Sequence, residues 1–369
     1  MDNKDIDYNA LFVGDKSENG DNYINELSRL LQSHMGWRKN YIPGDISAIT
    51  DEDKRSPEYQ ATLQRQHDVL TEVDHRLRQG SVPWMSAGRY WGQMLSDTLT
   101  PSMLAYSQAM LWNANNVTLE CSMATSKMEA EVGDEIADLL GYKEGWGHLT
   151  HDGSIANLEA LWYMRQFKSM PLAFKEVVPE KVKGLSEWEL LNMSVEKVLD
   201  ILKTLTPKQI DEVKAHSSRS GKNIQKLGKL IVPYTKHYSW LKALDITGVG
   251  LDQMVQIPVK SDFRQNVDIL KEKVKKLASK HIPILGVVAV VGTTEEGQVD
   301  EVNKIVKFRE EMKKQGVYFY IHVDAAYGGY ARALFRDENN HFVEYDQLKD
   351  MFKKHHVFNT DVHIDKDVY

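Results

Sequence analysis

Ile321-His322-Val323-Asp324-Ala325-Ala326-Tyr327-Gly328 is an apolar run that ends in a carboxylate, followed by two small residues and a loop. A strand that delivers an aspartate to its carboxyl end sets an acceptor where the nitrogen of a heteroaromatic ring can rest. The carboxylate then keeps that nitrogen protonated and the ring able to take up an electron pair. A helix N-cap or a surface carboxylate would leave the same local pattern, so other segments have to decide. In Gly147-His148-Leu149-Thr150-His151-Asp152-Gly153-Ser154-Ile155-Ala156-Asn157-Leu158 a loop runs into a helix, with Ile155, Leu158, Leu161 and Trp162 expected inward. Its small residues expose backbone N–H groups, and with the helix dipole and the Ser154 hydroxyl they suit a phosphate; an ordinary Gly-Ser helix start is the alternative. Tyr234-Thr235-Lys236-His237-Tyr238-Ser239-Trp240 follows a strand-like run. His237 therefore falls at a strand's carboxyl end, where an imidazole can stack on an aromatic ring or simply face solvent. Gly292-Thr293-Thr294-Glu295-Glu296-Gly297 closes another run, and its hydroxyls can bond a ring substituent or a substrate carboxylate, or only shape a turn.

Other candidates fail on spacing. His148 and His151 lie three apart with no further ligand cluster, so no metal is expected. Gly248-Val249-Gly250 lacks the third glycine of a dinucleotide fingerprint and opens no helix after a strand. Cys121 is the single cysteine; it cannot form an internal disulfide and reads as a buried or incidental thiol rather than a nucleophile.

The elements that must hold these residues follow from periodicity. Residues 20–80 look helical and charged, with Ile24, Leu27, Leu30 and Leu31 at helical spacing, and form an N-terminal arm. Residues 82–116 are rich in aromatics and methionine: Trp84, Met85, Tyr90, Trp91, Met94, Met103, Tyr106, Met110 and Trp112. They suit a core or dimer interface, or else a substrate-pocket wall, for which Tyr90, Trp91 and Gln93 are the candidates. Ser126-Lys127-Met128-Glu129 has a capping-box pattern opening a helix that carries Met128, Val132, Ile136, Leu139 and Leu140 and stops at Gly141. Residues 170–228 read as a Lys/Glu-rich helical insertion with capping boxes at Ser186 to Glu189 and Thr206 to Gln209. Strand and helix then alternate. Residues 230–233, 254–259, 284–291 and 317–323 are strand runs; a helix with Val267, Leu270, Val274 and Leu277 precedes the third, and one with Val302, Ile305 and Val306 behind Asp300 as cap follows it. This order predicts an α/β fold, a mostly parallel sheet covered by helices, with ligands at the carboxyl ends of the strands.

Composition narrows the class. A chain of 369 residues, 42% hydrophobic, can bury a large core. A net charge of −7 gives no footprint for nucleic acid. No apolar run approaches a membrane span and the polar start Met1-Asp2-Asn3-Lys4-Asp5 is no signal peptide, so no membrane partner and a cytoplasmic location are expected.

Taken in order, phosphate loop, histidine, threonine turn and aspartate, the chain resembles the group II pyridoxal-phosphate decarboxylases, and among them the bacterial tyrosine decarboxylases. The segments that carry the resemblance are Ser81-Val82-Pro83-Trp84, Ala87-Gly88-Arg89-Tyr90-Trp91-Gly92, the stretch 147–161, Thr235-Lys236-His237-Tyr238-Ser239-Trp240-Leu241-Lys242, Val290-Val291-Gly292 and the stretch 322–330. The resemblance runs through the whole chain. It implies a fold type I (aspartate-aminotransferase-like) large domain that binds pyridoxal 5'-phosphate, with Gly153 and Ser154 at the phosphate, His237 stacked on the ring, Thr294 near its phenolic side, Asp324 at the ring nitrogen and Ala326 against the ring face. It further implies decarboxylation of L-tyrosine, a small-molecule amino-acid substrate and a homodimer.

One departure shapes the expectation. The family's cofactor lysine lies in an Asp-Pro-His-Lys-like segment that does not occur before Tyr369, and Lys366 in His363-Ile364-Asp365-Lys366-Asp367 lacks that context. The expected organisation is an arm over residues 1–116 and an incomplete cofactor-binding domain over 117–369, with the C-terminal small domain absent. Glutamate decarboxylase, another aromatic amino-acid decarboxylase, or a non-catalytic remnant of the cofactor fold are the rival readings. The aromatic region fits a phenol better than a side-chain carboxylate.

Overall fold

The computed structural model describes residues 6–82, 95–354, 364–366 and 369. Tyr90, Trp91 and Gln93, with Trp84, Met85 and Met94, lie outside the described residues. The chain divides into two compact units, Met1–Lys127 and Met128–Tyr369.

The first unit is helical: α1 (Gly20–Tyr41), α2 (Asp51–Arg55), α3 (Pro57–Gly80) and α4 (Thr100–Trp112). Ser56 caps α3 through Tyr59 N–H, with Pro57 at the first helical position, where its missing N–H costs nothing. α1 and α4 meet through aromatic rings, with Trp112 4.6 Å from Trp37 and 4.8 Å from His34. Ile24 and Leu31 stay exposed, as do Tyr106 and Met110. Cys121 is a free, exposed thiol rather than a buried one.

In the second unit α5 (Met123–Leu140), most of which falls here, starts earlier than the Ser126 pattern predicts. Ser126 N–H bonds back to Ser122 C=O, so Ser126 is already helical, and its buried hydroxyl finds no partner among the described residues. Ser122 supplies the cap instead, accepting from Thr125 N–H at 3.4 Å. The stop at Gly141 holds: its φ of +84° permits the paired bonds Tyr142 N–H to Ala137 C=O and Gly141 N–H to Asp138 C=O that close a helix end.

α6 (Gly153–Val177) runs on through Pro171, because Leu172, Ala173 and Phe174 bury its last turns. Its inward stripe is Asn157, Leu161, Met164 and Lys168; Ile155 and Trp162, expected inward, are 38% and 41% exposed. Within 170–228 lie α7 (Glu187–Leu191), α8 (Val195–Leu202) and α9 (Pro207–His216), the first and last opened by the reciprocal capping boxes at Ser186/Glu189 and Thr206/Gln209. Leu190, Leu191, Val198 and Val213 from these helices share one apolar core with α6.

The sheet has four strands, β1 (Lys229–Pro233), β2 (Met254–Ile257), β3 (Ile284–Val290) and β4 (Tyr320–Asp324), in the order β2-β1-β3-β4 and all parallel. Parallel neighbours need crossovers. These are supplied by α10 (Ser239–Ile246), α11 (Val267–Ser279) and α12 (Val302–Lys314); α13 (Tyr345–Lys354) follows β4. Leu230, Val232, Leu285 and Val288 face the α6 layer, whereas Ile231, Ile284, Val287 and Ala289 face α11 and α12. The register shifts from Lys229↔Ile284 to Leu230↔Gly286, which leaves Leu285 as an extra residue and lets Ile284 and Val287 point into the same layer. A helix therefore covers each face of the sheet.

Asp300 does not cap α12. It is buried and accepts from Gln265 N–H at 2.7 Å and Val290 N–H at 2.8 Å, so its carboxylate ties the end of β3 to the loop before α11. Burial pushes its carboxyl above the usual range. Among the described residues no helix is long and apolar enough to cross a membrane, and no group of three or more His, Cys, Asp or Glu gathers.

Candidate active site

Parallel strands bring their carboxyl ends to one edge, and three of the four sequence segments arrive there. β4 ends on Asp324, β1 is followed by the turn that carries His237, and β3 is followed by Gly292. Gly292 has a φ of +87°, and a Cβ on it would lie 2.8 Å from Gly328 N, so the turn after β3 packs directly on the turn after β4. Gly328 N–H bonds to Val291 C=O at 3.0 Å and locks the two together.

α6 points its N-terminus at the same edge. Asp152 caps it, accepting from Ile155 N–H at 2.8 Å, while its carbonyl takes Ala156 N–H. The N–H groups of Gly153 and Ser154 and the Ser154 hydroxyl remain as donors at the positive end of the helix dipole. The approach is close. A Cβ on Gly153 would lie 2.7 Å from the Cβ of Ala326, so a glycine here and a small residue there are steric requirements of bringing the helix start against the turn after β4.

Asp324 is 8% exposed and its Oδ2 takes two bonds, from Asn157 Nδ2 at 2.8 Å and Trp240 Nε1 at 3.3 Å. Its Oδ1 receives no hydrogen bond from a described residue. Asn157 also donates to Ser239 Oγ at 3.0 Å and, through Oδ1, meets His322 Nε2 at 2.9 Å. Ser239 Oγ lies 2.9 Å from His237 Nδ1. Burial pushes His322 down to about 4, outweighing the pull of Asp324 in the other direction. A neutral His322 leaves the Asp324 carboxylate without an adjacent cation, so its charge is free to act on a ligand.

The structure thus brings Gly153, Ser154, His237, Asp324 and Ala326 to one edge. Thr294 is exposed in the turn after β3, outside the hydrogen-bond network; its neighbour Thr293 is buried and accepts from Gln298 N–H at 3.0 Å. Sequence reading did not single out Asn157, Ser239, Trp240 or His322. The signal for His322 was available, since it stands two residues before Asp324 on the same face of β4. Asn157 stands one turn into the helix that Gly153 opens.

The residues fit pyridoxal phosphate on three observations. A helix start made small by contact with Ala326 offers donors to a phosphate. A buried carboxylate keeps one oxygen unbonded among the described residues, as a ring N–H requires. The imidazole of His237 stands half-buried at the same edge.

Residues 201–342 match the pyridoxal-dependent decarboxylase conserved domain. The chain is 61% identical over 366 residues to an L-tyrosine decarboxylase of Enterococcus faecium, covering 99% of this chain and 60% of that protein. It is 56% identical to an L-tyrosine decarboxylase of Levilactobacillus brevis, covering 97% of this chain and 57% of the relative. The chain therefore spans about 60% of the length of the curated relatives it matches. Among solved structures, the glutamate decarboxylase domain of diaminobutyrate-pyruvate transaminase and L-2,4-diaminobutyrate decarboxylase from Vibrio parahaemolyticus superposes with a TM-score of 0.53 at 15% identity, over 88% of this chain and 60% of that one. That likeness shows the fold, which is the α/β fold type I architecture.

Proposed function

We propose, from the premise that this chain belongs to the pyridoxal-dependent decarboxylase family, that it is the cofactor-binding part of an L-tyrosine decarboxylase, converting tyrosine to tyramine and CO2. The observation that carries the site is Asp324, a buried carboxylate with an unbonded oxygen at the carboxyl end of β4, facing the same edge as the open start of α6. The substrate rests on the named relatives, which are L-tyrosine decarboxylases.

When bound, pyridoxal phosphate supplies an electron-accepting ring that takes up the pair released as the bond to the amino-acid α-carbon breaks. Gly153 and Ser154 hold the phosphate through backbone N–H groups and the Ser154 hydroxyl. Asp324 Oδ1 accepts the ring N–H and, by its charge, holds the proton at that nitrogen. His237 would cover one face of the ring, Ala326 would pack against it and Thr294 would stand near its phenolic side. Within this proposal residues 1–116 form the arm and 117–369 the cofactor-binding domain. Tyr90, Trp91 and Gln93 contribute to the substrate pocket, the aromatic region including exposed Tyr106 and Met110 pairs two copies as a homodimer, and the protein works in the cytoplasm.

The test is release of labelled CO2 from carboxyl-labelled tyrosine by the protein expressed from its complete reading frame with pyridoxal phosphate. Faster release from glutamate than from tyrosine overturns the substrate; release from neither overturns the activity. Sedimentation of the same protein as an active monomer overturns the dimer.

A further inference from the structure

We infer that Asn157 is a positioning residue: by joining the Asp324 carboxylate to Ser239 it fixes the order of protons along a buried chain that ends on His237, leaving that imidazole bare at Nδ1 and protonated at Nε2. The inference deepens the proposed site and rests on it only for what Nε2 then meets. The order of protons itself follows from the geometry alone.

The chain starts at a group that can only accept. Asp324 Oδ2, as a carboxylate oxygen, requires a donor from Asn157 at 2.8 Å, so the amide nitrogen faces it and not the amide oxygen. That choice turns Asn157 Oδ1 toward His322 Nε2 at 2.9 Å, which must then carry the proton. A neutral His322 has one N–H, and this bond places it at Nε2. The second amide hydrogen of Asn157 goes to Ser239 Oγ at 3.0 Å, so that oxygen is already an acceptor. Among the described residues the Ser239 hydroxyl hydrogen has one partner in reach, His237 Nδ1 at 2.9 Å. The backbone N–H of Ser239 points at the same nitrogen from 3.3 Å. Two donors aimed at Nδ1 exclude a proton there.

His237 Nε2–H has no hydrogen-bond partner among the described residues and stands at the edge where the strands end. It is a directed donor, suited to an anionic oxygen of the bound substrate or cofactor. Without Asn157 the Ser239 hydroxyl is able to turn and accept, and only the longer Ser239 backbone N–H contact at 3.3 Å still opposes a proton at His237 Nδ1, so the form with a bare Nε2 facing the site gains population. A residue buried beneath the site would thereby decide whether the histidine above it donates or accepts.

The experiment reads the tautomer directly. The chain is labelled with ¹⁵N-histidine and examined by NMR at neutral pH without cofactor, and the two rings are assigned from the signals lost in His237→Asn and His322→Gln. Wild type should show both rings as the Nε2–H form. Ser239→Ala and Asn157→Ala should each move His237 toward a mixture with at least a tenfold rise in the Nδ1–H form, and Ser239→Thr, which keeps the hydroxyl, should restore the wild-type pattern. A wild-type His237 that carries its proton at Nδ1 overturns the inference, whatever the variants do. So does an Asn157→Ala protein that folds and keeps the wild-type pattern. Because no cofactor or substrate is present, failure of decarboxylation leaves these spectra unaffected, and the two claims fail separately.

Discussion

Replacing His322 by glutamine should remove a defined part of the acid sensitivity of this fold. The imidazole projects from β4 against Asn157 and Trp240, and burial holds it down to about 4, against an ordinary value of 6.5. Unfolding frees it to bind a proton at 6.5, while the folded chain refuses one until about 4. The unfolded state therefore binds more protons throughout that window, and stability falls as pH drops through it. Above 6.5 the contribution is fully present; below about 4 both states are protonated and nothing more is lost. At about 1.4 kcal/mol per pH unit, the interval from 6.5 to about 4 amounts to about 3 kcal/mol. Glutamine places an amide nitrogen near the position of Nε2, so the bond to Asn157 Oδ1 survives without a titrating group. Urea unfolding at half-unit steps between pH 7.5 and 4 should show wild type losing about 3 kcal/mol more than His322→Gln, with the carboxylates common to both cancelling in the difference. Parallel curves for the two proteins would show that His322 is not held neutral by its surroundings, and the account of an unneutralised Asp324 would fall with it.

Three further outcomes are expected. Asp324→Ala should lower turnover at least a hundredfold, about 3 kcal/mol of transition-state stabilisation, because no other described carboxylate reaches this edge through β4; near-normal turnover would remove its role at the ring nitrogen. Gly153→Ala forces a methyl to within 2.7 Å of the Ala326 Cβ, so either the helix start or the turn after β4 must retreat. Titration with pyridoxal phosphate should show affinity reduced about tenfold with a stability loss of about 1–3 kcal/mol, and unchanged affinity would mean that the phosphate does not sit there. Lys168 is buried at 1% exposure with its ammonium donating to Tyr318 C=O at 2.7 Å, and burial lowers it from 10.5 to about 7. Here the unfolded chain holds the proton between about 7 and 10.5 while the folded one does not, so wild-type stability should climb with pH across that window, and Lys168→Met should lack the climb in the same urea series.

What could be read in the sequence was whatever the chain encodes locally. Residues 230–233 and 284–290 are buried on both faces of the sheet, so they stand out as runs without a polar side chain. The capping boxes at Ser186 and Thr206 formed as spaced, because both partners lie within one turn. The errors came where a local pattern met a tertiary demand. Ser126 fits a capping box but Ser122 starts the helix a turn earlier, and Asp300 fits an N-cap yet is drawn inward to serve two backbone N–H groups. Ile155 and Trp162 fit an inward face by being apolar, whereas the stripe of α6 that meets the sheet begins with a polar residue, Asn157. No hydrophobic pattern announces that choice. Asn157 is inward because it bonds Ser239, 82 positions on, and Asp324, 167 positions on, and Trp240 reaches Asp324 across 84. A buried amide with unmet bonds would cost about 1–3 kcal/mol. This one is stable only because two distant segments, the start of α10 and β4, converge on it, so the residue that organises the site has no signature of its own in the sequence, while the residues it organises, His237 and Asp324, do.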